Sequence, residues 1–500
     1  MNVHRLHPDD DVAVVLAPAG LPAGTRLVLP DGLPVVTRTP IPFGHKVALR
    51  AIGPGDPVRK YGEVIGQATA PIAPGDHVHI HNLVSPGAVA SLPRCPLVSP
   101  SFSLSFPIPD STFPGYLRPV GPAGCRNYIA VLPASLCANE VARRIAEGLA
   151  GARPGLDVVA LPHGHGCCQM GVDLATTRRA LAGLGRHPNV FATLVVGLGC
   201  ETLAADELAA DIAPARPVEV LVIQVAGGSR RAIERGRELL RPFLADAARL
   251  QRVPCPAADL ILATECGGSD ATSGLAANPL VGCLADAIVA VGGTVLLSEA
   301  AELLGAEHIL ARRAVSPAVG ARIWGITAAA QAVAEGLGVD LRGAQPTPGN
   351  MAGGITTIEE KSLGCVYKAG SAPIQGVLDY AEPPPGRGLY IMDTPGHDAE
   401  SVTGMVAGGA QIVVFTTGRG TPLGFPLAPV LKLTANAGTW AAQRDDLDFD
   451  ASGLIDGTAQ MEELARALLE RLWAVLAGQP TAAEILGPGE IAIHRLARTV

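Results

Sequence analysis

Five short apolar runs in this chain each end in a dense group of nucleophilic or ionisable side chains. Residues 260–264 lead into Glu265-Cys266-Gly-Gly-Ser269-Asp270-Ala-Thr272-Ser273. Residues 158–161 lead into His163-Gly-His165-Gly-Cys167-Cys168-Gln169, and 194–196 into Gly197-Leu-Gly199-Cys200-Glu201-Thr202. Residues 389–392 lead into Asp393-Thr394-Pro-Gly-His397-Asp398, and 412–415 into Thr416-Thr417-Gly-Arg419-Gly. Polar groups packed this densely are costly to bury unless they meet partners or a ligand. In open parallel α/β sheets the ligand lies beyond the carboxyl ends of the strands. The expected chemistry is a single small-molecule site assembled from several strand ends.

Each group suggests a role. His163, His165, Cys167, Cys168, Cys200 and Cys266 are soft ligands that could hold iron, as a mononuclear site or an Fe–S cluster. The competing reading makes His165 an acid/base residue with the thiols lining a pocket. No CxxCxxC motif occurs, which disfavours a cluster. His77-Val-His79-Ile-His81-Asn82 alternates without a break, so on a strand the imidazoles share one face, about 7 Å apart; two could reach one metal, and His45 could join them. The run 353–362 reads as a turn feeding a helix, with Thr357 and Glu360 in capping-box spacing. Lys361, beside two carboxylates, could clamp an anion or act as a base. Thr416, Thr417 and Arg419 offer hydroxyls and a guanidinium suited to a carboxylate.

Other motifs exclude functions. Asp393-Thr-Pro-Gly-His397 resembles a GTPase switch, but no GK[ST] phosphate loop exists anywhere in the chain. Gly197-Leu-Gly199 lacks the third glycine of a dinucleotide fingerprint, since position 202 is Thr. The net charge of −8 without a Lys/Arg run argues against nucleic acid as a partner. Mean hydropathy is positive at +0.31, yet the apolar run 287–297 is too short for a membrane span, which takes about 20 residues. With no signal-peptide core at the N-terminus, the expected location is cytoplasmic, with no membrane partner. Ten cysteines then read as reduced, with Cys95, Cys137, Cys255, Cys283 and Cys365 as small core residues.

The elements that must position these groups follow from periodicity. Residues 1–92 read as all-β, with strands broken by Gly53-Pro-Gly-Asp56 and Ala73-Pro-Gly-Asp76 turns. Residues 93–119 read as an extended Pro/Ser-rich linker. Strands then alternate with helices over 120–254 and again over 255–500, which implies a mostly parallel sheet. The fold class is multidomain α/β with an N-terminal all-β domain.

Together these motifs resemble the altronate/galactarate dehydratase family with its N-terminal SAF, or β-clip, domain. The likeness is carried by residues 47–50, Lys60-Tyr-Gly-Glu-Val-Ile-Gly66, 77–83, Glu265-Cys-Gly-Gly-Ser-Asp270 with Ala277-Asn-Pro279, Gly293-Thr-Val-Leu-Leu-Ser-Glu299, 353–364, Met392-Asp-Thr-Pro-Gly396 and 416–420. The resemblance implies a β-clip domain, a linker, a dimerising α/β domain and a Rossmann-like catalytic domain. It also implies a homodimer and iron-dependent dehydration of a sugar acid. The chain departs from the family's GYxRxDGRxGTRNY segment at Val120, Pro122 and Cys125, which bears on the substrate.

On that resemblance, Fe²⁺ or another divalent metal would chelate the substrate, with Glu201, Glu265 and Asp270 as ligands and His163, His165 and Cys266 as alternatives. Lys361 or Arg419 would hold a carboxylate. His79, His165, Lys361 and Asp393 are the candidate catalytic groups; His77, Asn82, Ser269, Thr416, Thr417 and Arg419 are candidate substrate contacts. The product would be a 2-keto-3-deoxy acid. The rivals are a sulfo-lyase acting through the same enolate and a non-catalytic sugar-acid sensor.

Overall fold

The computed structural model describes residues 3–28, 34–86, 111–149, 157–487 and 489–500. Most of the segment read as linker, together with Cys95, lies outside them. Its last part does not behave as linker: Thr112–Gly115 is a strand paired antiparallel with Val253–Pro256.

The N-terminal region is built of short antiparallel strands. Val12–Val15 pairs with Val3–His4 and Lys46–Ala48, and Lys46–Ala48 pairs in turn with His77–Val78. Pro57–Lys60, Glu63–Ala68 and Leu83–Val84 form a second layer. The histidine run is not one strand. It leaves the sheet after Val78 because Asn82 folds back, accepting from the His79 N–H at 2.9 Å and donating to the His77 carbonyl at 2.9 Å. Asn82 thus shapes the histidine turn, and Ile80, which an unbroken strand would turn away from the histidine face, is exposed.

The middle region is a four-stranded parallel sheet in the order Val158–Ala160, Tyr128–Pro133, Val190–Gly197, Val218–Val222. Asn139–Glu147 and Ser229–Ala247 pack on one face. The other face joins the core of the C-terminal region through Leu181 and Leu184, set against Met405 and Val406. Gly183 allows this approach, since a Cβ there would lie 2.1 Å from the Ala407 carbonyl oxygen.

The C-terminal region carries a seven-stranded parallel sheet. Ile261–Cys266 lies at its centre. Thr294–Leu297, Gly388–Met392 and Ile374–Leu378 extend to one side, and Ile412–Thr416, Val430–Thr434 and Phe449–Asp450 to the other. The chain therefore reverses direction across the sheet between Ile261–Cys266 and Ile412–Thr416. A crevice opens at the carboxyl ends of strands at such a switch point. Glu265, Cys266, Thr416 and Thr417 occupy it. The helical stretch Ser273–Ala290 that follows has the length and apolarity of a membrane span, but 67% of it is buried inside the protein, as a core helix is. It opens with a π turn, Ser273–Ala277, a feature common at functional sites.

The β-clip docks directly on this domain. Lys46 Nζ donates to the Gly354 carbonyl at 2.8 Å, Thr356 Oγ1 at 2.7 Å and Glu360 Oε2 at 2.8 Å. Lys60 Nζ donates to Glu360 Oε1 at 2.8 Å. All three charged groups are fully buried, so each depends on the others. Glycines bring the backbones together: a Cβ on Gly354 would stand 2.3 Å from the Gly44 carbonyl oxygen.

Candidate active site

Beyond the switch point, six elements bring a sealed polar group together. Cys266 ends the central strand. Its Sγ lies 3.3 Å from Glu302 Oε2 and 3.6 Å from Cys365 Sγ, and it accepts from Lys368 Nζ at 3.0 Å. Lys368 also reaches Glu299 Oε2 at 3.4 Å. Lys361 Nζ lies 2.6 Å from Glu302 Oε1. Glu265 is completely enclosed; its carboxylate accepts from the Cys266 N–H, Ser298 Oγ and Ser401 Oγ at 3.0, 3.1 and 2.6 Å. Glu299 sits at φ +66°, a left-handed conformation that a glutamate adopts only when its surroundings hold it there.

Charge explains how this group coexists. Burial would raise the Glu302 carboxyl, but Lys361 and Lys368 bring it down to about 2. Burial, reinforced by Glu265 and Glu302, lifts Glu299 well above the usual carboxylate range. Cys266 is held as a thiol by its contact with Cys365 and by burial. Asp398 is raised to about 7 by burial and by Glu265 and Glu302. Gly267 makes room for it, since a Cβ there would lie 2.0 Å from Asp398 Oδ2. The two lysines stay charged: burial would lower them, but the surrounding carboxylates and thiols hold both above their ordinary value.

This arrangement has more acidic groups than cations to match them, so some acids keep their protons. A divalent cation would replace such protons. Cys266, Glu302 and Cys365 place their ligand atoms within 4.8 Å of one another, and Glu299 Oε1 is buried without a hydrogen-bond partner. Thiolate and carboxylate together suit a borderline metal such as Fe²⁺. The residues fit one.

Lys361 and Cys365 also line a narrow cleft, together with Lys60 and Tyr61 of the β-clip and with Ser269 and Asp270. Helix Ile358–Cys365 carries Glu360, Lys361 and Cys365 on one short span. Thr357 caps it as its spacing predicts, accepting from the Glu360 N–H. The Glu360 side chain, however, leaves the capping box for Lys46 and Lys60.

The remaining candidates divide by location. Ser269 faces the cleft. Asp270 also lines it, but its Oδ1 accepts from Thr272 and the Ser273 N–H and its Oδ2 from Asn436. Thr416 Oγ1 donates to Asn278, Thr417 Oγ1 accepts from the Gly420 N–H, and Arg419 is exposed. Burial first, then Asp379, raises Asp393, with His494 and Arg322 opposing; burial, then Glu265 and Glu302, raises Asp398. His163 is tied through both nitrogens to the Pro133 carbonyl and the His165 N–H. His165 meets Gln169 at 2.9 Å, and Glu201 accepts from the Gly199 and Cys200 N–H groups. His163 and Glu201 close their bonds within the middle region, whereas His165 also reaches the Ile493 backbone of the C-terminal region.

His77 and His79 meet His45 at the docking seam. The departures at Val120, Pro122 and Cys125 lie outside the cleft lining. Cys125 is buried between Asn189 and the Gln411 carbonyl, and the Val120 carbonyl accepts from Arg216. Cys125 belongs to the join between the two α/β regions.

Comparison with known proteins agrees along the whole chain. Residues 1–86 match the altronate/galactarate dehydratase SAF domain. Residues 115–248 match the D-galactarate dehydratase/altronate hydrolase second domain, and 257–499 the D-galactarate/altronate dehydratase C-terminal domain. The chain is 36% identical to an altronate dehydratase of Escherichia coli, covering 99% of both proteins. It is 34% identical to the galactarate dehydratase (L-threo-forming) of the same organism, over 95% of this chain and 92% of that one. It is 38% identical to the (2R)-sulfolactate sulfo-lyase subunit beta of Chromohalobacter salexigens, over 77% of this chain and 97% of that one.

Proposed function

The chain belongs to the altronate/galactarate dehydratase family, and on that premise we propose that it removes water from a sugar acid to give a 2-keto-3-deoxy acid. The observation that carries this reading is the position of Lys361. Lys361 is part of the cleft wall, and its ammonium touches Glu302, the anionic end of the buried group. A substrate carboxylate held by Lys361 brings its C2 to the edge of that group.

Loss of the C2 proton next to a carboxylate builds negative charge that must be stabilised where it develops. Cys266, Glu302 and Cys365 would hold a divalent cation, Fe²⁺ by the family resemblance, which supplies Lewis-acid stabilisation of that charge. Lys361 binds the carboxylate as a fixed cation. Asp398, whose ionisation is set by burial and by Glu265 and Glu302 and whose seat is Gly267, takes the C2 proton and returns a proton to the departing 3-hydroxyl. The C2–H electron pair becomes the C2=C3 double bond, the 3-hydroxyl leaves as water after taking a proton, and the enol tautomerises to the ketone. Ser269 offers a hydroxyl to the polyol, and Tyr61 closes the cleft from the β-clip side.

Lys361→Met keeps the stem and removes the charge. With Fe²⁺ and reductant under argon, kcat/KM for keto-acid formation should fall by at least about 10²-fold, the usual cost of losing one preorganised charge-stabilising group. An unchanged rate would refute the role. The sulfo-lyase relative supports a second reading, in which sulfite leaves instead of water; sulfite release from sulfolactate would identify it.

A further inference from the structure

We propose that His45, His77 and His79 form a second cation site, a three-imidazole pocket for a divalent transition metal at the seam between β-clip and catalytic domain. The three rings converge from the residue before Lys46–Ala48, from His77–Val78 and from the Asn82 turn. His45 Nδ1 lies 3.0 Å from His77 Nε2. Ring centroids are 5.0 Å apart for His45–His77, 4.6 Å for His45–His79 and 5.5 Å for His77–His79. One nitrogen of each lies within 4.8 Å of the others. Metal–imidazole bonds of about 2.0–2.1 Å in a tetrahedral site put donor nitrogens roughly 3.4 Å apart, which falls inside the observed spacing.

The far side of the rings fixes which nitrogens face inward. His45 Nε2 lies 3.4 Å from the Ala352 carbonyl, which can only accept, so Nδ1 carries the lone pair toward His77. His79 Nδ1 meets Thr356 Oγ1 at 3.1 Å, leaving Nε2 as its free nitrogen. A carbonyl or hydroxyl behind each ligating imidazole is the usual outer support of a histidine metal site. Burial first, then neighbouring imidazoles and Lys46, keep these histidines neutral: His77 is lowered to about 4 and His79 to about 3. Lys46, the nearest cation, is already committed to Glu360. Neutral imidazole selects borderline ions such as Zn²⁺, Co²⁺ or Fe²⁺. The supports, Ala352 and Thr356, belong to the catalytic domain. A cation here would therefore strengthen docking of the β-clip over the cleft.

The test is Co²⁺ titration of chelator-treated full-length protein under argon with reductant, read by visible absorption and by bound metal per chain. Thiolate ligation gives a near-ultraviolet charge-transfer band; an all-imidazole site gives only the d–d bands. Wild type should bind two equivalents, one at Cys266 and Cys365 with the charge-transfer band and one without it. His77→Ala and His45→Gln should each lose the second of these, while Cys266→Ser keeps it. His77 is only half-buried, so its variant retains the fold, which circular dichroism verifies. Equal binding and identical spectra for His77→Ala and wild type would overturn the site, as would cobalt bound only through thiolate. The readout is binding, so it stands apart from the dehydratase reading.

Discussion

Replacing Glu360 by Gln preserves shape but removes the anion between two buried ammonium groups. Lys46 and Lys60 have 0% and 1% side-chain exposure, and each lies 2.8 Å from one Glu360 oxygen. Removing one partner from a buried ion group typically costs about 3–5 kcal/mol. Lys46 keeps Gly354 and Thr356 as acceptors, which puts the expected loss near 3 kcal/mol, about a hundredfold in the docking equilibrium. Hydrogen exchange followed by mass spectrometry reads this directly. Amides of Lys46–Ala48 and Glu63–Ala68 should exchange about 100-fold faster, while Ile412–Thr416 in the central sheet is unchanged. Replacing all three residues by Met should restore protection to within about 1 kcal/mol, because apolar substitutes for a buried ion group are often neutral. Glu360→Gln exchanging like wild type would refute the ion group as the docking element. The pH dependence has a definite sign. Burial would raise Glu360, but Lys46 and Lys60 hold it at about 2 in the folded state, against about 4.3 when unfolded. Its stabilisation is therefore complete above about pH 5 and is lost as pH falls toward 2. Glu360→Gln should flatten that part of the urea-midpoint profile.

Asp398→Asn should lower kcat by at least about 10²-fold, as loss of a proton-transfer group does; Asp393→Asn should leave it within a few-fold, because burial and Asp379, not Glu265 and Glu302, raise Asp393. Steady-state kinetics compares them, and equal losses would contradict the assignment. Gly267→Ala puts a Cβ 2.0 Å from Asp398 Oδ2. It should abolish turnover while reducing stability by only about 1–3 kcal/mol, checked by activity alongside urea unfolding.

The sequence rule that marked polar strand ends leads to this crevice, because Glu265 and Cys266 terminate the central strand at the switch point. The same rule applied to Thr294–Leu297 would have found Ser298, Glu299 and Glu302, which follow that strand just as closely. Cys365 was read as a core residue, and it is buried; only folding sets it 3.6 Å from Cys266, across 99 positions. Lys368 sits in a short turn between apolar neighbours, where a lysine is an anomaly that burial alone cannot accommodate. Local patterning could not separate the two α/β regions' polar ends. His163, His165 and Glu201 look like ligands in the sequence, yet His163 and Glu201 find their partners within the middle region, and His165 is held by Gln169 and the Ile493 backbone. The histidine run showed its residue types but not its turn, because Asn82 redirects the chain through backbone bonds.

The most direct measurement is product formation by the wild-type enzyme, anaerobic with Fe²⁺ and reductant, across altronate, galactarate, related aldonates and sulfolactate. The account predicts a 2-keto-3-deoxy acid from one sugar acid, abolished by chelation and restored by Fe²⁺. Keto-acid formation that survives full chelation would contradict the metal's part, and no turnover of any sugar acid by folded, metal-loaded protein would contradict the dehydratase itself.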